Sequence, residues 1–200
     1  MATYPLQFTA QAPAREQLKI NNRQAAMESP HTYAMQVVHT ASQWTLDFTW
    51  PRMTVAEAQV CQAWLDSLRG QVGTFRYTPR ARTRNALTGR SLAQAAYAYG
   101  NTVGLSGWSG NAAGGVAVGQ FFQLGDQLLR VTAVPANADA NGQLLVEFEP
   151  MLRANYAQGA TVNFTNPSGL FRLASPDTPS FDTDVDGHPA FPSVIAKEAI

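Results

Sequence analysis

Charge is scarce in this chain: Asp, Glu, Lys and Arg make up 14% of its 200 residues, against about 25% in an ordinary soluble domain. Acidic and basic residues balance at 14 each, so net charge supplies no long-range pull toward nucleic acid or an anionic membrane. With 45% apolar residues, the surface repels itself weakly. That suits a subunit covered by neighbours; the alternative, a soluble β protein rich in Gln, Asn, Ser and Thr, has a similar composition. Cys61 is the only cysteine, which rules out an intrachain disulfide. It falls at helical spacing with Ala58, Leu65 and Leu68 and reads as a small buried apolar residue. A nucleophilic thiol needs a nearby base and an electropositive, accessible setting, and His31, His39 and His188 bear no evident relation to it. No apolar run approaches the length of a membrane span, so no insertion is expected. The N-terminus lacks the basic start and continuous apolar core of a secretory signal, so nothing is expected to direct the chain out of the cytoplasm where it is made.

Catalytic patterns are missing as well. The glycine-rich stretch 104–115 has neither the GxxxxGK[ST] pattern nor a following helix whose amides would bind phosphate. Asp182, Asp184 and Asp186, followed by Gly187, match the start of a calcium loop, but its twelfth position is Ser193 and Pro189 and Pro192 stiffen the path. An acidic turn between two strands explains them better. Glu147 and Glu149 share a strand face, as paired carboxylates for acid–base work would, yet no acidic partner is assignable. There is no Ser-x-Gly elbow, no histidine pair at metal spacing and no Cys-His set. No catalytic, cofactor-binding or metal-binding residue is assigned, and no enzyme is expected.

What the chain does have is concentrated between Ser42 and Pro79. Trp44, Leu46, Phe48 and Trp50 alternate with Thr45, Asp47 and Thr49, the period of a half-buried strand. Pro51 ends it. Thr54 and Glu57 form a capping box ahead of a helix over 54–69, with Met53 placed to staple onto Ala58. Ala58, Cys61, Leu65 and Leu68 make one stripe, Trp64 lies on its shoulder, and Gly70 is the expected left-handed stop. Trp64→Ala should cost about 3–5 kcal/mol if that side chain is fully buried. A second alternating strand follows over 72–78.

Elsewhere the pattern predicts a loose arm or irregular hairpin over residues 1–30 and a strand over 31–39. A turn at Ala41-Ser42 then pairs that strand with the next as a hairpin. Tight turns are expected at Gly125-Asp126, at 139–142 and at 166–169, with strand patterning over 160–174 and at Val194-Ile195-Ala196. Arg80, Arg82, Arg84 and Arg90 form the only basic cluster, in a segment without apolar period. It suits a solvated linker or a contact loop to a neighbouring subunit. A nucleic-acid site would need more basic residues interleaved with exposed aromatics.

The fold expected is therefore mainly β with one principal amphipathic helix packed on a sheet. Its main part, residues 1–92 plus 151–200, receives an inserted small β module over 93–150. Tyr97, Tyr99 and Trp108 in that module are candidates for binding carbohydrate or a host surface. Thr54, Glu57, Trp64, Leu65, Leu68 and Gly70 are structural.

The run Trp50-Pro51-Arg52-Met53-Thr54, then Glu57-Ala58, Ala63-Trp64-Leu65 and Leu68-Arg69-Gly70-Gln71-Val72-Gly73-Thr74-Phe75 resembles distal tail and tail-tip proteins of long-tailed, siphovirus-type bacteriophages. The likeness extends to Leu124-Gly125-Asp126, Pro150-Met151-Leu152-Arg153, Asn166-Pro167 with Gly169, and Phe171-Arg172-Leu173, and so spans about 31–174. The resemblance implies a structural virion protein without catalytic residues. Such a protein forms a hexameric ring at the distal end of the tail. The ring joins tube subunits to a hub, with the tape measure or a receptor-binding protein as further neighbours. A barrel- or sandwich-like β domain with a helix would close the ring, and the inserted module would project from it.

Overall fold

The computed structural model describes residues 3–9, 11–82, 87–184 and 187–199. The chain is mainly β, with one helix among the described residues and a closed barrel beside an open sheet. Strands β1 (Leu6–Gln7), β2 (Arg15–Glu28) and β3 (Met35–Thr49) precede the helix α1 (Val55–Leu68), and β4 (Phe75–Tyr77) follows it. Next come β5 (Arg90–Leu92), β6 (Thr102–Ser106), β7 (Phe121–Leu124), β8 (Gln127–Ala133), β9 (Gln143–Glu149) and β10 (Thr161–Asn163). The chain ends with β11 (Gly169–Leu173), the short hairpin β12 (Asp182–Thr183) and β13 (Pro189–Ala190), and β14 (Val194–Glu198).

The open sheet has the order β1-β4-β11-β14-β3-β2; only its β1–β4 pair is parallel. The alternation at Trp44–Trp50 puts Trp44, Leu46 and Phe48 on the core face, all with 0% exposure. Phe75, Phe171, Leu173, Val194 and Ala196 join them from neighbouring strands. The sheet curls around this core. Glu16 on one edge strand accepts a hydrogen bond from the Tyr77 hydroxyl on β4, and bonds from the amides of Arg80 and Ala81 at 2.9 and 3.0 Å. Burial, and then the Glu16 carboxylate, push the Tyr77 hydroxyl upward.

The helix forms as its sequence dictates. The Thr54 hydroxyl accepts from the Glu57 amide at 3.4 Å, and the Glu57 carboxylate accepts from the Thr54 amide at 2.9 Å. Those Thr54 bonds hold the Glu57 carboxyl below its ordinary range. Ala58, Cys61, Leu65 and Leu68 are buried against the sheet, and Met53 lies in the same core. The stop differs from expectation in one detail: the left-handed cap is Arg69, at φ 52°, with Gly70 left-handed behind it at φ 65°. Gly70 is required for a second reason, since a Cβ there would sit 2.3 Å from the Pro176 carbonyl oxygen. Thr54→Ala is expected to cost about 1 kcal/mol, read as a lower urea midpoint at unchanged slope.

Three expectations are corrected. The hairpin placed over 31–50 does not exist: β3 runs unbroken through Ala41-Ser42, and its partner is β2, in the stretch expected to be a loose arm or irregular hairpin. The cause is a β-bulge. Arg23 pairs with Ala41 and Gln24 with His39, so Thr40 is extra, and its hydroxyl donates to the Arg23 carbonyl at 2.8 Å. One extra residue flips the alternation, which in sequence reads like a turn between two strands. Second, 160–174 is not one part of the main sheet. Val162 sits in a barrel strand, and the chain crosses back to the sheet through the turn at 166–169. Third, Trp64 is only half-buried, edge-on to Phe8, Trp50 and Phe75. The fully buried tryptophan is Trp44.

The barrel closes in the order β10-β5-β6-β9-β8-β7, with every pair antiparallel. Leu105, Phe122, Leu124, Leu129, Leu144, Val146, Phe148 and Phe164 fill it at 0% exposure. Its first and last strands, Arg90–Leu92 and Thr161–Asn163, lie outside the 93–150 segment read from sequence. Turns form at Gly125-Asp126 and around Asp139, whose carboxylate accepts from the amides of Asn141 and Gln143 at 2.9 and 2.8 Å. The C-terminal strand lies inside the main sheet, between β11 and β3.

Candidate assembly surfaces

The sheet and the barrel share a buried seam. Phe121 and Leu128 point out of the barrel wall and belong to the sheet's core. Leu128 seats over Gly169, where an added Cβ would lie 2.9 Å from Leu128 Cβ. Trp44 closes the seam: its indole N–H donates to the Leu128 carbonyl at 2.7 Å, its ring lies 5.8 Å from Phe121, and the Arg130 guanidinium covers it at 5.2 Å. Glu198 is buried at the same junction, accepting from the Trp44 amide at 3.1 Å with Arg153 3.9 Å away. Its pKa is raised to about 7. Desolvation outweighs the Trp44 bond and the distant guanidinium. At the rim, Arg76 pairs with Asp126 at 2.6 Å and the Ser42 hydroxyl donates to Glu149 at 3.4 Å.

Beyond the seam, β2 and β3 leave the body as a two-stranded ribbon. From Asn22–Ser42 to Glu28–Met35 the pair continues with no third strand among the described residues, a reach of roughly 20 Å at 3.3 Å per residue. The turn is held by the Ser29 amide on the Ala34 carbonyl and the Tyr33 amide on the Ser29 carbonyl, both 2.9 Å. Cross-strand partners share a face, so Ala26 with Val37 and Glu28 with Met35 continue the core-facing side, while Ala25 with Val38 and Met27 with Gln36 form the reverse. Met27 is 76% exposed, Tyr33 79% and Met35 62%. An isolated ribbon of this kind is marginal in water and its edges invite pairing. The sequence signal for it was the flipped alternation on either side of Thr40.

The candidate binding residues do not converge. Tyr97 and Tyr99 are 70% and 78% exposed just before β6, with the Tyr99 amide bonded to the Leu152 carbonyl at 2.8 Å. Trp108 lies beyond the other end of that strand, about 17 Å away by strand rise. It is half-buried, its N–H given to the Gly114 carbonyl at 2.8 Å and its ring under Arg90 at 4.3 Å. Leu65 and Leu68 are core.

The arginine cluster disperses into separate local bonds. The Arg80 guanidinium bonds the Pro13 carbonyl, Arg82 bonds the Pro79 carbonyl and the Asn166 side chain at 2.6 and 3.0 Å, and Arg90 bonds the Gly107 carbonyl. Arg84 and Asp186 lie outside the described residues. Asp182 is in a strand of the β12–β13 hairpin, and the Gly187 amide closes the turn on the Asp184 carbonyl at 2.8 Å. Among the described residues, no group of three or more His, Cys, Asp or Glu could hold a metal ion, and no helix is long and apolar enough to cross a membrane. Burial pushes the Cys61 thiol upward, away from the thiolate a nucleophile needs. Compared with known proteins, the chain matches no family model and no curated sequence.

Proposed function

We propose that this chain is a structural virion protein, a homo-oligomeric ring, most simply a hexamer, at the distal end of a long-tailed phage tail. In this reading it joins the tube protein to the hub and to the receptor-binding apparatus, with the tape measure passing nearby, and it is not an enzyme. One observation carries the proposal beyond the motif likeness: the projecting ribbon exposes Met27, Tyr33, Met35, Val37 and Val38. Apolar side chains on both faces of an arm that, among the described residues, no third strand joins call for a neighbour. The curled sheet with its helix serves as the ring-forming part, and the barrel is the projecting module.

The test is an image of intact particles averaged about the tail axis, together with a variant in which 24–39 is replaced by a two-residue turn. The shortened chain is expected to fold with unchanged thermal unfolding of its body and to be lost from the tail. A chain absent from the tube–tip junction, or a shortened variant that incorporates normally, refutes the reading. A second role, binding of host glycans at the barrel end, is favoured by the exposure of Tyr97 and Tyr99 alone.

A further inference from the structure

The molecule is neutral overall, yet its charges are sorted by side. Both lysines of the chain, Lys19 and Lys197, lie on the face of the sheet turned away from the core, with Arg15, Arg23 and Arg172. All five are exposed. Register aligns three of them in one row: Lys19 pairs with Thr45, Thr45 with Lys197, and Lys197 with Arg172. Like charges directly opposite on neighbouring strands destabilise the pair, and here no anion shares the row. Among the sheet's own strands the one carboxylate on this face is Asp47, in the next row, where it accepts from the Ser193 hydroxyl; Arg76, on the same face at its far side, is paired with Asp126 of the barrel. Among the described residues the ion pairs are Arg76–Asp126 and Arg153–Glu198, and these five cations have no anionic partner there. Ile195, 48% exposed, lies in the middle of them.

The core-facing side of the sheet is covered by the helix and the β12–β13 hairpin, and there the sign reverses. Glu57 and Asp66 on the helix, Asp182 on the hairpin and Asp177 in the loop that leads to it past the helix end are exposed, against Arg52 and Arg69. Val60 projects from the helix among them, 64% exposed.

We infer that the cationic sheet face is an interaction surface for a second copy of this chain, whose acidic helix-and-hairpin side lies on it. The inference rests on the oligomeric reading above and specifies which surfaces meet. Charge complementarity selects the occupant: the acid that the row lacks is gathered on the opposite side of the same neutral molecule. Ile195 and Val60 would form the apolar centre and the charges the rim. Because the two surfaces differ, the contact is head-to-tail, the kind that closes into a ring when its rotation allows. The face carries no aromatic platform for single-stranded nucleic acid.

The test uses the full chain and two charge-reversal variants, followed by sedimentation. Unmodified protein is expected to self-associate at low salt and to weaken at least about tenfold at half-molar salt, where exposed pairs are screened. Arg172→Glu with Lys197→Glu is expected to abolish association, as is Asp66→Lys with Asp182→Lys. Mixing the two variants should restore it, because each then offers the surface the other needs. Unchanged melting temperatures exclude misfolding as the cause. A chain that stays monomeric at about millimolar concentration in low salt overturns the inference. So does association indifferent to both reversals, or binding of a short DNA duplex to the face without self-association. Particle imaging tests the ring separately: restored pairing in a protein absent from the tail axis leaves this contact standing and removes the ring.

Discussion

Replacing Trp44 by alanine is expected to lower stability by about 3–5 kcal/mol, the range for a fully buried large aromatic, and to loosen the barrel from the sheet. The side chain has 0% exposure, and its removal takes away contacts with Phe121 and Arg130 together with the hydrogen bond to the Leu128 carbonyl. Each half keeps a core of its own: Leu105, Phe122, Leu144 and Phe148 are buried inside a barrel whose strands pair all the way round. Barrel amides should therefore stay protected from exchange while those along the seam lose protection. Trp44→Phe separates the two contributions. It keeps most of the packing and leaves the Leu128 carbonyl without its donor, which costs about 1–3 kcal/mol if that oxygen stays buried. Urea unfolding and hydrogen exchange measure both. A Trp44→Ala protein within about 1 kcal/mol of the parent would mean that the seam is held elsewhere.

What was legible in the sequence was whatever depends on neighbours in the chain. The capping box at Thr54 and Glu57 formed as read, because both partners sit within one helical turn. The Gly125-Asp126 reversal did so because the two-residue turn fixes its own register. Alternation from Trp44 to Trp50 gave the core face correctly. The failures share a cause: they turn on which distant strand a segment meets. A single extra residue at Thr40 made one strand of 15 residues look like two. Val162 and Phe171 both alternate, yet one enters the barrel and the other the sheet, and nothing local separates those fates. Leu128 and Leu129, adjacent and both fully buried, record that β8 is covered on two sides, by the sheet and by the barrel interior. Trp64 reads as costly to remove because its helical stripe is self-evident, whereas the full burial of Trp44 depends on a barrel docking against it. The candidate surfaces were harder still. Tyr97, Tyr99 and Trp108 are close in sequence, but an intervening strand carries them to opposite ends.

Stability is expected to fall as pH rises from 5 to 8, and Glu198 is the reason. Its carboxyl titrates near the ordinary 4.5 when unfolded and at about 7 when folded. Below the lower value both states are protonated and the group contributes nothing. Between the two, the folded chain holds a proton that the unfolded chain has released, so each step up in pH favours unfolding. Above about 7 the carboxylate is ionised in both states, and the full penalty of burying it, roughly 3 kcal/mol, is present. The geometry explains why the penalty is not offset. Arg153 stands 3.9 Å away, beyond good hydrogen-bond contact, and only one carboxylate oxygen finds a donor, the Trp44 amide. Glu198→Gln keeps an acceptor for that amide and removes the titration. The difference between the two proteins in urea unfolding at a series of pH values isolates this one group. The parent should lose stability across pH 5 to 8 while the variant stays flatter by most of that amount. Parallel curves would show that water reaches the junction and that the carboxyl is solvated there, which would also weaken the case for a tightly closed seam between sheet and barrel.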